Sequence, residues 1–389
     1  MLPLVGQVRD YAWGSRTAIP EILGTDPTGE PQAEYWLGAH PLAPSLADGV
    51  ALDKLLDQHP ELVGKNCRRL FGNRFPVLMK LLAAEKPLSL QAHPDREQAR
   101  EGFAREEAAG IAYDDPARTY KDDWPKPELL IALTPFDGLC GFREPAATVR
   151  LFERLGGPAE LDGVIGPLSK RKGQAALAEV FLDILSLEDA HLVGRVVQSA
   201  RAHLADPYEL GDFARTAVEL AAHYPSDPGI LAALLLNRIH LEAGEGMFLP
   251  PRTLHSYLHG VGVEVMASSD NVLRGGLTKK HIDVDELIHV VDFSPSPIAP
   301  VATEEDGGFT RYVTPAREFT AWRGELSRHP IRFPDTRACR LALATDGEAV
   351  LRSGDETLDL GVGEAALLAY GEEVTATGSA TLHVSAPGL

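Results

Sequence analysis

The chain has 389 residues, enough for two or three units with substantial cores, so its stability needs no disulfide staples. Its formal charge of −19, from 37 Lys and Arg against 56 Asp and Glu, argues against nucleic acid or an acidic membrane as a partner, and an anionic ligand would need cations gathered locally. Cys67, Cys140 and Cys339 are scattered without CxxC spacing, which argues against a disulfide framework and a cysteine zinc site and fits a reducing cytoplasm.

Residues 1–15 lack a basic segment followed by an apolar run and a small-residue cleavage site, so no export is expected. Residues 229–236 form the longest apolar stretch, far short of the roughly 20 needed to cross a bilayer. From residue 9 to about 90, turn residues punctuate short apolar runs, which predicts β structure with loops. Residues 75–82 and 87–93 read as consecutive strands. Pro94 and Asp95 then precede a helix predicted over 96–109, rich in Ala, Arg and Glu.

Extended structure resumes over 126–133, where Pro127 rules out a continuing helix and Leu129, Leu130 and Ile131 form a buried-strand run. Residues 144–239 turn Ala-, Leu- and Glu-rich, with helix starts signalled at Ser186 and at Asp227-Pro228. β patterning returns over 242–271, a short helix is expected over 283–291, and an acidic, Pro-rich segment follows. The tail alternates short strands, such as 341–345 and 348–351, with glycine turns. It carries no chemical constellation, and His383 reads as a sheet residue.

The predicted class is therefore mainly β with an inserted helical domain. The units are a discontinuous metal-binding β domain at 1–143 and 240–300, a helical domain at 144–239 and a C-terminal β domain at 301–389. Within the first, Gln91 and His93 stand two apart on one strand and so share a face. Glu128 opens another strand and His255 follows a Pro-rich turn, completing an N2O2 donor set suited to zinc and other divalent first-row metals. A lone histidine near a sheet is more often structural, so the case rests on the combination. Gly244, Pro250 and His255 are spaced like the second histidine motif of cupin barrels, with Arg252 at the usual glycine position.

Several blocks in order carry a more specific resemblance. They are Tyr11-Ala12-Trp13-Gly14-Ser15, Ala33-Glu34-Tyr35-Trp36 with Gly38-Ala39-His40-Pro41, and Pro87-Leu88-Ser89-Leu90-Gln91-Ala92-His93-Pro94-Asp95. Further on come Tyr120-Lys121-Asp122, Lys126-Pro127-Glu128, Leu139-Cys140-Gly141-Phe142-Arg143, Phe248-Leu249-Pro250 and residues 269–278. Together they resemble the type I phosphomannose isomerases. The resemblance implies cupin-like, jelly-roll-type β barrels joined to a helical domain, and interconversion of mannose 6-phosphate and fructose 6-phosphate. It also implies one zinc ion per chain on Gln91, His93, Glu128 and His255.

By the same resemblance Arg274 is the candidate to stabilise an enediolate, against a plain reading as a strand-end salt bridge. Lys126, expected on the face of Glu128, is the candidate for proton transfer, against a solvated lysine. Lys80 and Asp270 match polar positions of the family's site. Ser89 and Lys280, with Lys279 nearby, are candidates for the phosphate, and Trp13 and Glu34 for the sugar. Trp124-Pro125 stands where the family usually has Asn-His, and Lys279 where it usually has Pro. The first departure removes an imidazole beside the reaction centre, so two alternatives stay open: an isomerase of another sugar phosphate or free sugar, and a metal-containing sugar binder without turnover. A phosphorylated sugar is the expected partner, with the chain a monomer or weak oligomer.

Overall fold

A computed structural model describes residues 1–171, 173–297 and 299–389. Among them two large sheets form, of ten and nine strands, with antiparallel pairing throughout their ladders. In the ten-stranded sheet Val77–Ala84 pairs with Glu34–Gly38 on one side and His255–Ala267 on the other. The long strand His255–Ala267 also pairs with Gln91–Ala92, Glu128–Ala132 and Phe136–Phe142. The predicted class, mainly β with an inserted helical stretch, is thus observed, with antiparallel sheets.

Strand periodicity divides the side chains of this sheet between two destinations. Tyr35, Leu37, Met79, Leu81, Leu129, Ile131, Val263 and Val265 enter a core shared with Ala321, Leu341, Leu343, Ala365 and Leu367 of the nine-stranded sheet. Their alternates Glu34, Trp36, Lys80, Leu82, Glu128, Glu264 and Met266 line a cleft. A continuous apolar core on one face therefore holds rigid a set of charged side chains on the other.

Helices from Pro145–Leu155 to Gly229–Ala233 enclose a second core, which reaches under the site through Leu90, Ala92, Leu254, Leu273 and Leu277. The helix Arg96–Ala108 starts as predicted, with a capping box between Asp95 and Gln98. The expected strand over 87–93 shrinks to Gln91–Ala92, because Leu88 and Leu90 spend their N–H groups on the Tyr257 and Gly276 carbonyls rather than on a regular ladder. The helices Ala18–Leu23, Leu52–Gln58 and Lys65–Phe71 interrupt the region read as strands and loops; with six or seven residues each, they carry too little periodicity to register. The tail strands 341–345 and 348–351 are one strand, Arg340–Ser353, which passes an irregularity near Ala344 and Asp346 and accommodates Gly347 at φ 67°. Leu2–Leu4 joins the nine-stranded sheet against Ala365–Leu368.

Candidate metal centre and cleft

His255 lies opposite Gln91 in one ladder, and Gln91 lies opposite Arg274 in the next. Directly opposed residues of antiparallel strands project to the same face, so the three side chains form a row across the sheet. A second row runs Trp36, Lys80, Glu264, and Glu128 is opposite Met266, two positions beyond Glu264. The rows meet at Glu128.

His93 Nε2 lies 3.3 Å from Glu128 Oε1, and His255 Nε2 lies 3.3 Å from Glu128 Oε2, all three side chains being buried. Each ring's other nitrogen faces a backbone carbonyl, His93 Nδ1 that of Asn271 at 2.7 Å and His255 Nδ1 that of Thr253 at 2.9 Å. A carbonyl only accepts, so Nδ1 is the donor and Nε2 of the neutral ring carries a bare lone pair. His93 Nε2 is buried and makes no hydrogen bond. Burial, followed by the charge of Lys126, pushes the His93 pKa down to about 4, which keeps the ring neutral. Two lone pairs aimed at a carboxylate repel unless a cation lies between them. The donor set therefore fits a divalent metal, with backbone carbonyls fixing the tautomers as in known metal sites. Gln91, opposite His255 and lining the cleft, is placed to add an amide oxygen.

Lys126 Nζ pairs with Glu128 Oε1 at 3.1 Å. Burial disfavours the Glu128 carboxylate, but its pKa is held well below the ordinary range, with the charge of Lys126 the largest influence in its favour. Lys80, buried, sits 2.9 Å from Glu264 and 3.5 Å from Glu34. Burial opposes its ammonium, yet these acids raise its pKa above the usual lysine value. Trp36 Nε1 donates to Glu34 at 2.6 Å and the Tyr257 hydroxyl to Glu264 at 2.8 Å.

The cleft, about 530 Å³, also takes in Trp13, Ser89, Asp270, Arg274, Lys279 and Lys280. Every candidate side chain singled out from the sequence except His93 lines it, and His93 joins through Glu128 and His255. Arg274 has no acidic partner within salt-bridge distance among the described residues, which removes its plain reading as a salt bridge. Burial lowers the Arg274 pKa, and burial together with Arg274 lowers that of Lys280. Lys280 likewise has no acid within salt-bridge distance among the described residues, so the pair leaves local positive charge available to an anion. The loop bearing them packs on the helical stretch where Gly276, at φ 128°, meets Gly229; a Cβ on Gly276 would lie 2.8 Å from the Gly229 Cα.

Trp124 packs in the core between the sheets beside Phe71, with Arg74 over its ring, and Pro125 is buried. The departure at these positions thus takes an imidazole away without filling the cleft. Sequence reasoning missed Glu264 and Asn271. Glu264 interrupts the apolar run Val263 to Met266, a signal of a paired buried charge. Asn271 accepts from the Lys121 N–H, donates to the Asp122 and Trp124 carbonyls and orients His93 through its own carbonyl, for which the sequence offers no signal.

Residues 1–145 match the family described as phosphomannose isomerase type I, catalytic domain. The mannose-6-phosphate isomerase of Salmonella typhimurium is 36% identical over 396 residues, covering 98% of each chain. That of Rattus norvegicus is 30% identical over 412 residues, 96% of this chain and 94% of its own. A crystal structure of mannose 6-phosphate isomerase bound with zinc and yttrium superposes with a TM-score of 0.91 at 34% identity, over the whole of both chains.

Proposed function

The chain belongs to the type I phosphomannose isomerase family, and from that premise we propose that it interconverts mannose 6-phosphate and fructose 6-phosphate with one zinc ion held by Gln91, His93, Glu128 and His255. The observation that carries the reading is the convergence of two bare imidazole Nε2 atoms on one carboxylate at the floor of a cleft whose rim holds unpaired cations.

Aldose–ketose exchange moves a proton between adjacent carbons through an enediolate. Zinc, when bound, supplies Lewis acidity that polarises the sugar oxygens and offsets the developing negative charge. Arg274 contributes a permanent cation from the same row as Gln91 and steadies the oxygens of the open-chain sugar. Lys126, with no histidine before it, is the proposed proton-handling group, and Lys80 and Asp270 contact the hydroxyls with Glu34. Ser89 and Lys280 take the phosphate, and Trp13 forms an apolar wall stacked on Tyr11. The division into a metal-binding β unit, a helical unit and a C-terminal β unit is part of the same proposal.

The test is incubation of zinc-loaded protein with mannose 6-phosphate in deuterated water. Ketose formation and exchange of the C2 proton are expected. A fully metallated protein that binds the sugar but gives neither would make the chain a sugar binder. Turnover of a different sugar phosphate alone would shift its substrate.

A further inference from the structure

The block Gly38-Ala39-His40-Pro41 has no part in the chemistry so far, yet His40 is 2% exposed. Its ring is fixed at both nitrogens. The Leu42 N–H donates to Nδ1 at 3.3 Å, so the proton of the neutral ring sits on Nε2, which faces Asp270 Oδ2 at 3.2 Å. The indole of Trp36 meets the ring edge-on at 4.9 Å between centroids, and the Ala43 N–H closes a turn on the His40 carbonyl.

A second donor reaches the same oxygen from another part of the chain: the Tyr113 hydroxyl lies 3.2 Å from Asp270 Oδ2. His40 and Tyr113 line a second cavity, of about 340 Å³, and Asp270 lines both it and the cleft. The backbone of Asp270 is anchored as well, its N–H donating to Asp122 Oδ2 at 2.9 Å.

We propose that His40 and Tyr113 are positioning residues for Asp270: from the second cavity they occupy Oδ2 and leave Oδ1 as the carboxylate oxygen offered to the sugar. This rests on the functional reading above only in taking the cleft as the sugar site. A carboxylate with one oxygen tied by two donors has a single orientation, and that preorganisation is lost when either donor goes. Asp270 is held below the ordinary carboxylate range: burial opposes its ionisation, and the contact with His40 is the largest influence in its favour.

A double-mutant cycle on the zinc-loaded enzyme tests the proposal. His40→Phe, Tyr113→Phe and Asp270→Asn are made singly, and the first two are each combined with Asp270→Asn. Both kcat and KM for mannose 6-phosphate are measured, with the dissociation constant of mannitol 6-phosphate, an alditol that cannot isomerise. His40→Phe is expected to impair the same constant that Asp270→Asn impairs, lowering kcat or raising KM and the dissociation constant, by roughly tenfold. In the Asp270→Asn background it should change little further. His40→Gln, which keeps an N–H donor, should recover part of the loss.

Tyr113 is exposed, so Tyr113→Phe keeps the question open to measurement if the buried substitution fails to fold; its expected loss is about threefold, and again absent beside Asp270→Asn. Losses that multiply in the double variants, or no loss in either single one, would overturn the proposal. A parent that forms no fructose 6-phosphate would sink the functional reading alone, since alditol binding still completes the cycle.

Discussion

Replacing Lys80 by Met removes the one cation between Glu34 and Glu264, which lie 3.5 and 2.9 Å from it and are themselves buried. Leaving buried carboxylates unpaired costs about 3–5 kcal/mol. The cluster has one escape, protonation of Glu264, whose pKa is already raised by burial and by the charges of Glu128 and Glu34 against the opposing pull of Lys80. Starting from an ordinary glutamate value of 4.5, holding that proton costs at most about 4.8 kcal/mol at pH 8 but only about 1.4 kcal/mol at pH 5.5. An acid whose folded pKa is raised binds more protons folded than unfolded, so stability falls as pH rises toward that raised value. The Lys80→Met deficit should therefore be about 3–5 kcal/mol at pH 8 and shrink to about 1–2 kcal/mol at pH 5.5. Urea unfolding of variant and parent at both pH values measures it, and Lys80→Met combined with Glu264→Gln should recover most of the loss at pH 8. A deficit that is equal at the two pH values, or larger at pH 5.5, would refute the reasoning.

Lys280→Ala should weaken a phosphorylated sugar roughly tenfold at low salt and its unphosphorylated counterpart hardly at all, because one exposed cation acts chiefly on a dianion; equal effects in competition binding would place the phosphate elsewhere. With its pKa lowered by burial and by Arg274, Lys280 sheds its proton at a lower pH than an ordinary lysine, so this preference should fade as the solution is made alkaline. His93→Ala and His255→Ala should each drop zinc well below one ion per chain by elemental analysis, and full occupancy in both would reject the donor set. His383, buried with both ring nitrogens unpartnered, has a pKa pushed down to about 3 by burial and then by Arg323. The unfolded chain takes up its proton near pH 6.5, so stability is lost as pH falls below that value, by about 2.7 kcal/mol at pH 4.5. His383→Leu should flatten the acid side of the thermal-midpoint profile, and superimposable parent and variant profiles would remove His383 from the account.

The strands that build the cleft were legible where a short, nearly continuous apolar run was bounded by turn residues. Residues 126–133 and 75–82 were read within two residues or so of Glu128–Ala132 and Val77–Ala84. Legibility failed where a residue's partner is distant in sequence. Gln91 belongs to a strand of two residues, and its alignment with His255 and Arg274 comes from ladders that cross more than 160 positions. Glu264 could have been caught, since a lone acid and the lone Lys80 each interrupt an apolar strand and a buried charge demands a partner. His40 was visible only as part of a motif, because its role follows from a carboxylate 230 residues away and a tyrosine on a third segment.

The charges show how a chain of net −19 could receive the proposed dianion. At the floor of the cleft Glu34, Glu128 and Glu264 face Lys80 and Lys126, so with all five ionised the buried group stands at −1 before Asp270 is counted. Such a floor repels a sugar phosphate but attracts a divalent cation, and binding one turns the local charge from −1 to +1. The rim is different in kind. Arg274 and Lys280 have no acid within salt-bridge distance among the described residues; burial disfavours the charge of each, and Arg274 adds to the effect on Lys280, so the free protein stores an electrostatic cost there that a bound anion relieves. Uncompensated cations at the rim and excess carboxylate at the floor give the cleft a polarity, which on the proposed function would draw the phosphate to the loop at residues 278–280 and the sugar's neutral end to the metal. On that proposal the same polarity would tie zinc to substrate orientation, since without the dication the floor would turn away a developing enediolate, which the proposed charge of Arg274 would then have to hold alone.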